Sequence, residues 1–180
     1  MTARAWLAAV VVLTMGCGGG VTPPPDPPDA SSPYPVEVVL GGANPDISGF
    51  TTLAGDITMV PGGQGGFHVW VKYRITGAGA ETVLLNYTAR RTSDSRLILK
   101  NNISAELGAP GSEGYWESPV PIPAFMCPSP LGVAVQDQPM VFNFEVRDTN
   151  GALRGSATTN FTPHCPTDDQ ATHCVAICNG

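Results

Sequence analysis

Residues 67–75 alternate without a break, placing Phe67, Val69, Val71, Tyr73 and Ile75 on one side of an extended chain. His68, Trp70, Lys72 and Arg74 fall on the other. A period of two marks a strand with one face on a core and one toward water. The pattern recurs at Val83, Leu85, Tyr87 and Ala89, with Asn86, Thr88 and Arg90 opposite. It returns at Met140, Phe142, Phe144 and Val146, against Asn143, Glu145 and Arg147. Asp148, Thr149, Asn150 and Gly151 follow, and the Asn-Gly pair supplies the positive φ angles of a tight hairpin turn. The chain then runs back through Leu153, Gly155, Ala157, Thr159 and Phe161 as the paired strand.

Other strands are predicted by position: residues 36–40, residues 56–60, and one long or broken strand over residues 96–107 around Asn101 and Asn102. Pro119, Pro121 and Pro123 remove every second ladder donor, which suits a sheet edge or a loop. With 21 Gly and 18 Pro, every candidate helix is interrupted before three turns. Seven or eight short strands with frequent turn signals predict an all-β antiparallel sandwich. Thr167 to Gln170 reads as a capping box that opens a helix of one or two turns through Cys178.

The N-terminus follows a different pattern. An apolar run over residues 5–15 follows Arg4 and ends at Gly16-Cys17. Spanning a bilayer takes about 20 apolar residues, so the run fits a cleaved signal. Gly18 to Gly20, the prolines from Pro23 to Pro28, and Ser31 to Pro33 cannot build a core. They form an extended, semi-rigid tether. The expected division is a leader at 1–16, a tether at 17–35, a β domain at 36–162 and a cysteine-rich tail at 163–180.

This N-terminus resembles the lipobox of bacterial lipoproteins, although Leu13 stands four residues before Cys17 where the family places it three before. The resemblance implies that Cys17 is acylated and begins the mature chain. Gly18 at the next position implies delivery to the outer membrane, on either side of it. The whole chain is similar to short lipoproteins of myxobacteria, which share Gly-Cys-Gly-Gly-Gly, a Pro/Asp tether and a Gly-Gly-Phe-His-Val-Trp strand. That likeness implies an address and an architecture and transfers no catalytic residue. The hairpin over residues 142–161 resembles the closing strands of immunoglobulin-like and fibronectin-III-like domains, implying an immunoglobulin-like sandwich. The immunoglobulin Cys-Trp-Cys signature is absent, since no cysteine lies between Cys17 and Cys127.

Once Cys17 is set aside, Cys127, Cys165, Cys174 and Cys178 remain. An even count outside the cytoplasm reads as two disulfides with three connectivities. The repeated pairs His164-Cys165 and His173-Cys174 raise zinc or copper(I) as a competing reading, but no Cys-x-x-Cys knuckle is present. On a helix, Cys174 and Cys178 lie one turn apart, too far for direct pairing, so each would reach Cys127 or Cys165. In an irregular tail, Cys174–Cys178 with Cys127–Cys165 is feasible instead.

Removing Arg4 with the leader leaves eight basic residues against fifteen acidic, a net charge of −7, which argues against nucleic-acid binding. Six of the nine Lys and Arg nevertheless fall between Lys72 and Lys100, so one sheet face is expected to be locally basic. With exposed aromatics beside it, the candidate binding face is His68, Trp70, Lys72, Arg74 and Trp116; surface tryptophans stack on sugars and anchor protein contacts. No hydrolase elbow, zinc-protease helix, P-loop or dinucleotide fingerprint occurs. Glu113 and Glu117 could pair as acid and base, but two glutamates four apart in a loop are common and carry almost no signal, and Asp148-x-Asn150-Gly151 lacks the later ligands of a calcium loop.

The sequence therefore predicts a non-enzymatic binding or structural module of the cell envelope, with no catalytic residue, cofactor or metal. Its expected partners are the membrane, through the anchor, and an envelope protein or polysaccharide. One alternative is a periplasmic metal-handling protein using His68, His164, His173 and the methionines. A second is a hydrolase with an unrecognised site.

Overall fold

The computed structural model describes residues 35–180; the leader, Cys17 and the tether up to residue 34 lie outside the described residues. In chain order the strands are β1 (Glu37–Gly41), β2 (Gly55–Thr58), β3 (Val60–Pro61), β4 (Phe67–Thr76) and β5 (Glu81–Arg91). They continue as β6 (Leu97–Leu107), β7 (Tyr115–Glu117), β8 (Ile122–Cys127), β9 (Met140–Arg147) and β10 (Leu153–His164), ahead of one helix, α1 (Ala171–Cys178). The fold is all-β with a short C-terminal helix, and its ten strands among the described residues exceed the seven or eight expected.

Two five-stranded sheets result. In the first, β4 is the hub: β1 and β7 flank its C-terminal half, and β3 and β8 flank its N-terminal half. The second runs β2-β10-β9-β5-β6, antiparallel except for the parallel β2–β10 pair.

The alternating positions face one another between the sheets. Phe67, Val69, Val71, Tyr73 and Ile75 on β4 are buried against Val83, Leu85, Tyr87 and Ala89 on β5 and Met140, Phe142, Phe144 and Val146 on β9. Tyr73 meets Phe144 at 4.9 Å across the gap. Each large apolar side chain sealed there contributes about 1.5–3 kcal/mol. Burial, together with nearby Tyr87, pushes the Tyr73 hydroxyl up to about 12, so it stays protonated in this dry layer.

Three local expectations are corrected, and one left open is decided. Residues 56–60 divide, because β2 joins β10 in the second sheet while β3 joins β4 in the first. Met59, fully buried between them, is where the chain changes sheets. The segment around Asn101 and Asn102 is one unbroken strand, since its full length pairs with β5. The turn after β9 has positive φ only at Gly151 (86°), so it is a wider turn closed by Gly151 N–H to the Asp148 carbonyl. Helix α1 begins at Ala171 and no side chain caps it, because Asp168 Oδ1 instead accepts the N–H of Gln170 in the preceding turn.

The tail is held by two disulfides, Cys127–Cys178 and Cys165–Cys174, spanning 51 and 9 residues. Both helical cysteines thus pair away from each other, fixing α1 to β8 and to the end of β10. On the chain-entropy model the two loops contribute about 4 and about 2.5 kcal/mol. β10 itself continues to His164, two residues past the expected domain boundary.

Candidate binding face

The row His68, Trp70, Lys72 and Arg74 lies along the outer side of β4, as alternation requires. Open exposure of that row is not what the structure shows. His68 is 3% exposed, enclosed by the Trp70 ring at 4.1 Å, the Phe125 ring at 5.3 Å and the Gly62 backbone. A β-carbon at Gly62 would stand 3.3 Å from His68 Nδ1. Neither imidazole nitrogen has a hydrogen-bond partner, and burial holds the ring below its ordinary pKa. His68 is therefore a neutral packing residue beneath an aromatic cover.

Lys72 and Arg74 are not a free basic patch, because both pair with Glu117. Lys72 Nζ lies 2.6 Å from Oε1, and Arg74 donates to Oε2 at 2.8 Å. Burial pushes the Glu117 carboxyl up, but the two cations outweigh it and leave the group below the usual carboxylate range. The Arg74 guanidinium also stacks on Phe50, 3.9 Å from the ring centroid, and on Tyr115 at 4.5 Å. The register explains the arrangement: Arg74 opposes Glu117, so those two share the outer face, whereas Ile75 opposes Trp116. Trp116 consequently turns inward and packs on Tyr73 at 5.7 Å, apart from the row it was expected to join.

Trp70 is the residue of the set left open to a ligand. It is half-buried and lines a cleft of about 210 Å³ between the β1–β2 connection and the β2–β3 segment. Asn44, Thr51, Asp56 and Thr58 provide polar lining. Its indole Nε1 is buried without an acceptor. A partly exposed ring beside several hydroxyl and amide groups suits a polyhydroxylated ligand.

A second hollow, of about 370 Å³, lies on the outer face of the other sheet among Asn86, Asn102, Asn143, Lys100 and Arg147. Asn86 pairs with Asn102 on one side and Glu145 on the other, and its Oδ1 is buried without a donor. Sequence reasoning placed Asn86 and Asn143 outward but did not see that register sets Asn86 between Asn102 and Glu145, with Asn143 opposite Thr88.

The histidines do not converge. His164 Nδ1 lies 2.6 Å from Asp137 Oδ1, and Nε2 makes an ion-pair contact at 3.1 Å with Asp56. Asp56, opposed by burial and then joined by Asp137, raises the pKa of the ring. His173 Nε2 instead lies 3.0 Å from the Gly65 carbonyl, with the ring against Phe67. Among the described residues, the one group of three or more His, Cys, Asp or Glu side chains close enough to share an ion is Cys165, Cys174 and Cys178. No helix among the described residues is long and apolar enough to cross a membrane. Compared with known proteins, the chain matches no family model and no curated protein.

Proposed function

We propose that this chain is a cell-envelope lipoprotein, anchored at the outer membrane through acylated Cys17, whose non-enzymatic β domain binds polysaccharide through the Trp70 cleft. The observation that carries the reading is the Trp70 ring: a partly exposed stacking surface at the wall of a cleft with polar lining. An immunoglobulin-like sandwich is supported by strand order. β1-β4-β8 in one sheet and β10-β9-β5-β6 in the other follow the strand neighbours of that architecture, with β2, β3 and β7 added.

Three of the residues weighed for a hydrolytic site are engaged elsewhere. Both His164 nitrogens face carboxylates, His68 is sealed, and Glu117 is held by two cations.

The test is retention of the mature chain on insoluble envelope polysaccharide. Trp70→Phe keeps a ring but narrows the stacking surface, so binding should weaken about tenfold. Trp70→Ala should abolish retention. Undiminished retention of Trp70→Ala would overturn the proposal.

A further inference from the structure

The two disulfides are not separate staples, because they meet. Cys174 Sγ lies 3.6 Å from Cys178 Sγ although the two are bonded to different partners, and Cys165, Cys174 and Cys178 place their sulfurs within 4.8 Å of one another. Cys127, bonded to Cys178, adds a fourth sulfur just outside that grouping, farther than 4.8 Å from Cys165 or Cys174. Cys127, Cys174 and Cys178 are almost wholly buried, with Met59 Sδ 4.0 Å from Cys127 Sγ. In a tetrahedral zinc–thiolate centre, with Zn–S near 2.3 Å, neighbouring sulfurs stand about 3.8 Å apart. The Cys174–Cys178 separation already approximates that edge. The two bonded pairs would have to part by just under 2 Å, and Cys127 would have to swing in toward the other three sulfurs.

The geometry points to a second, reduced state of this tail in which Cys127, Cys165, Cys174 and Cys178 hold one zinc ion. The elements needed are already in place. β8 presents Cys127, the end of β10 presents Cys165, and α1 presents its pair one turn apart, so β-sheet and helix would converge on the ion as they now converge on the disulfides. The site differs from the histidine-and-methionine set anticipated from the sequence, whose members do not meet.

Two equivalents of a dithiol reductant convert the disulfides to four thiols and are themselves oxidised to two disulfides. Zinc then binds the four thiols as thiolates and releases four protons. In reverse, four protons and two equivalents of a disulfide oxidant take the zinc–tetrathiolate to two protein disulfides, four oxidant-derived thiols and free Zn²⁺. The tail would thereby release zinc when the oxidising machinery of the envelope acts on it. Zinc binding rests on the sulfur cluster alone and is independent of polysaccharide binding at Trp70, whereas release by envelope oxidants rests on the proposed location.

The experiment uses the full chain carrying Cys17→Ser, so that four thiols are counted. It is reduced anaerobically, freed of reductant and titrated with Cd²⁺ as a spectroscopic substitute for zinc, then with Zn²⁺ in competition. The expected result is a thiolate charge-transfer band that saturates at about one equivalent, with loss of all four thiols to a thiol reagent and return of amide-exchange protection over Ala171–Cys178. Cys165→Ser, which leaves three sulfurs, should bind at least about tenfold more weakly, following the sensitivity of such sites to their ligand set. The oxidised chain should give no band. Saturation at two or more equivalents, binding without recovered protection of the helix, or an equal band from the oxidised chain would each overturn the inference.

Discussion

At the level of single residues, the structure is governed by which polar side chains find partners. His164 finds two. Asp137 lies in the loop before β9 and Asp56 in β2, so a protonated His164 at the end of β10 ties three segments together. Its pKa is raised in the folded chain above 6.5, mainly by Asp56 against the opposing effect of burial. A group whose folded pKa lies above its unfolded value stabilises fully below the unfolded pKa and loses that contribution as pH rises through the folded one. The contribution should therefore be complete below pH 6.5 and decline above it. Measured by thermal unfolding from about pH 5 to pH 9, the parent should lose more stability across that interval than Asp137→Asn. Parallel profiles would show that the pair is not coupled to folding. The partly exposed ring keeps the effect small.

The same scale shows what the chain's order of residues can and cannot convey. Lys72 reads as an outward lysine because it alternates with Val71 and Tyr73. Its burial depends on Glu117, 45 residues away, arriving opposite Arg74. Trp116 reads from the sequence as an exposed aromatic on the same face as Trp70. One residue of register decides otherwise, since a strand's successive side chains point to opposite faces.

At the level of elements, alternation located β4, β5 and β9 because each carries an apolar stripe that only a period of two can bury. Elements without such a stripe were legible only in outline. β2 and β3 share a short stretch whose division depends on which sheet each half joins, and α1 starts where a turn releases it rather than where a capping sequence begins. β10 carries a register shift between Leu153 and Gly155. That shift leaves Leu153 54% exposed and brings Arg154 inward to Glu81 at 2.5 Å.

Gly155, just beyond the shift, lies against the first strand. A β-carbon there would fall on the Val36 carbonyl, and Val36 N–H donates to the Arg154 carbonyl at 3.0 Å. Gly155→Ala must push backbone from backbone, so it should cost about 2–3 kcal/mol, in the range of overpacking. Gly151→Ala, with positive φ and nothing within 4 Å, should cost about 1 kcal/mol through conformational strain alone. Urea midpoints of the two variants rank them. If Gly151→Ala proved the more damaging, the close approach of β10 to residue 36 would not exist in solution.

At the level of the whole molecule, two sheets share one core rather than owning one each. Phe144 belongs to β9 in the second sheet, yet its ring meets Tyr73 of the first at 4.9 Å and Tyr87 of its own at 6.3 Å, and it is fully buried. Neither sheet can keep its apolar face from water without the other, so they should unfold as one cooperative unit. The two described tryptophans, Trp70 and Trp116, both lie in the first sheet, so their fluorescence reports on that sheet, whereas far-UV circular dichroism reports on both. Phe144→Ala should lose about 3–5 kcal/mol, the cost of truncating a buried aromatic. The loss should move the fluorescence and dichroism midpoints down together, although the substitution is in the opposite sheet from both tryptophans. A fluorescence midpoint left in place while dichroism fell would mean that the first sheet stands without the second, and the shared core would no longer explain why either one folds.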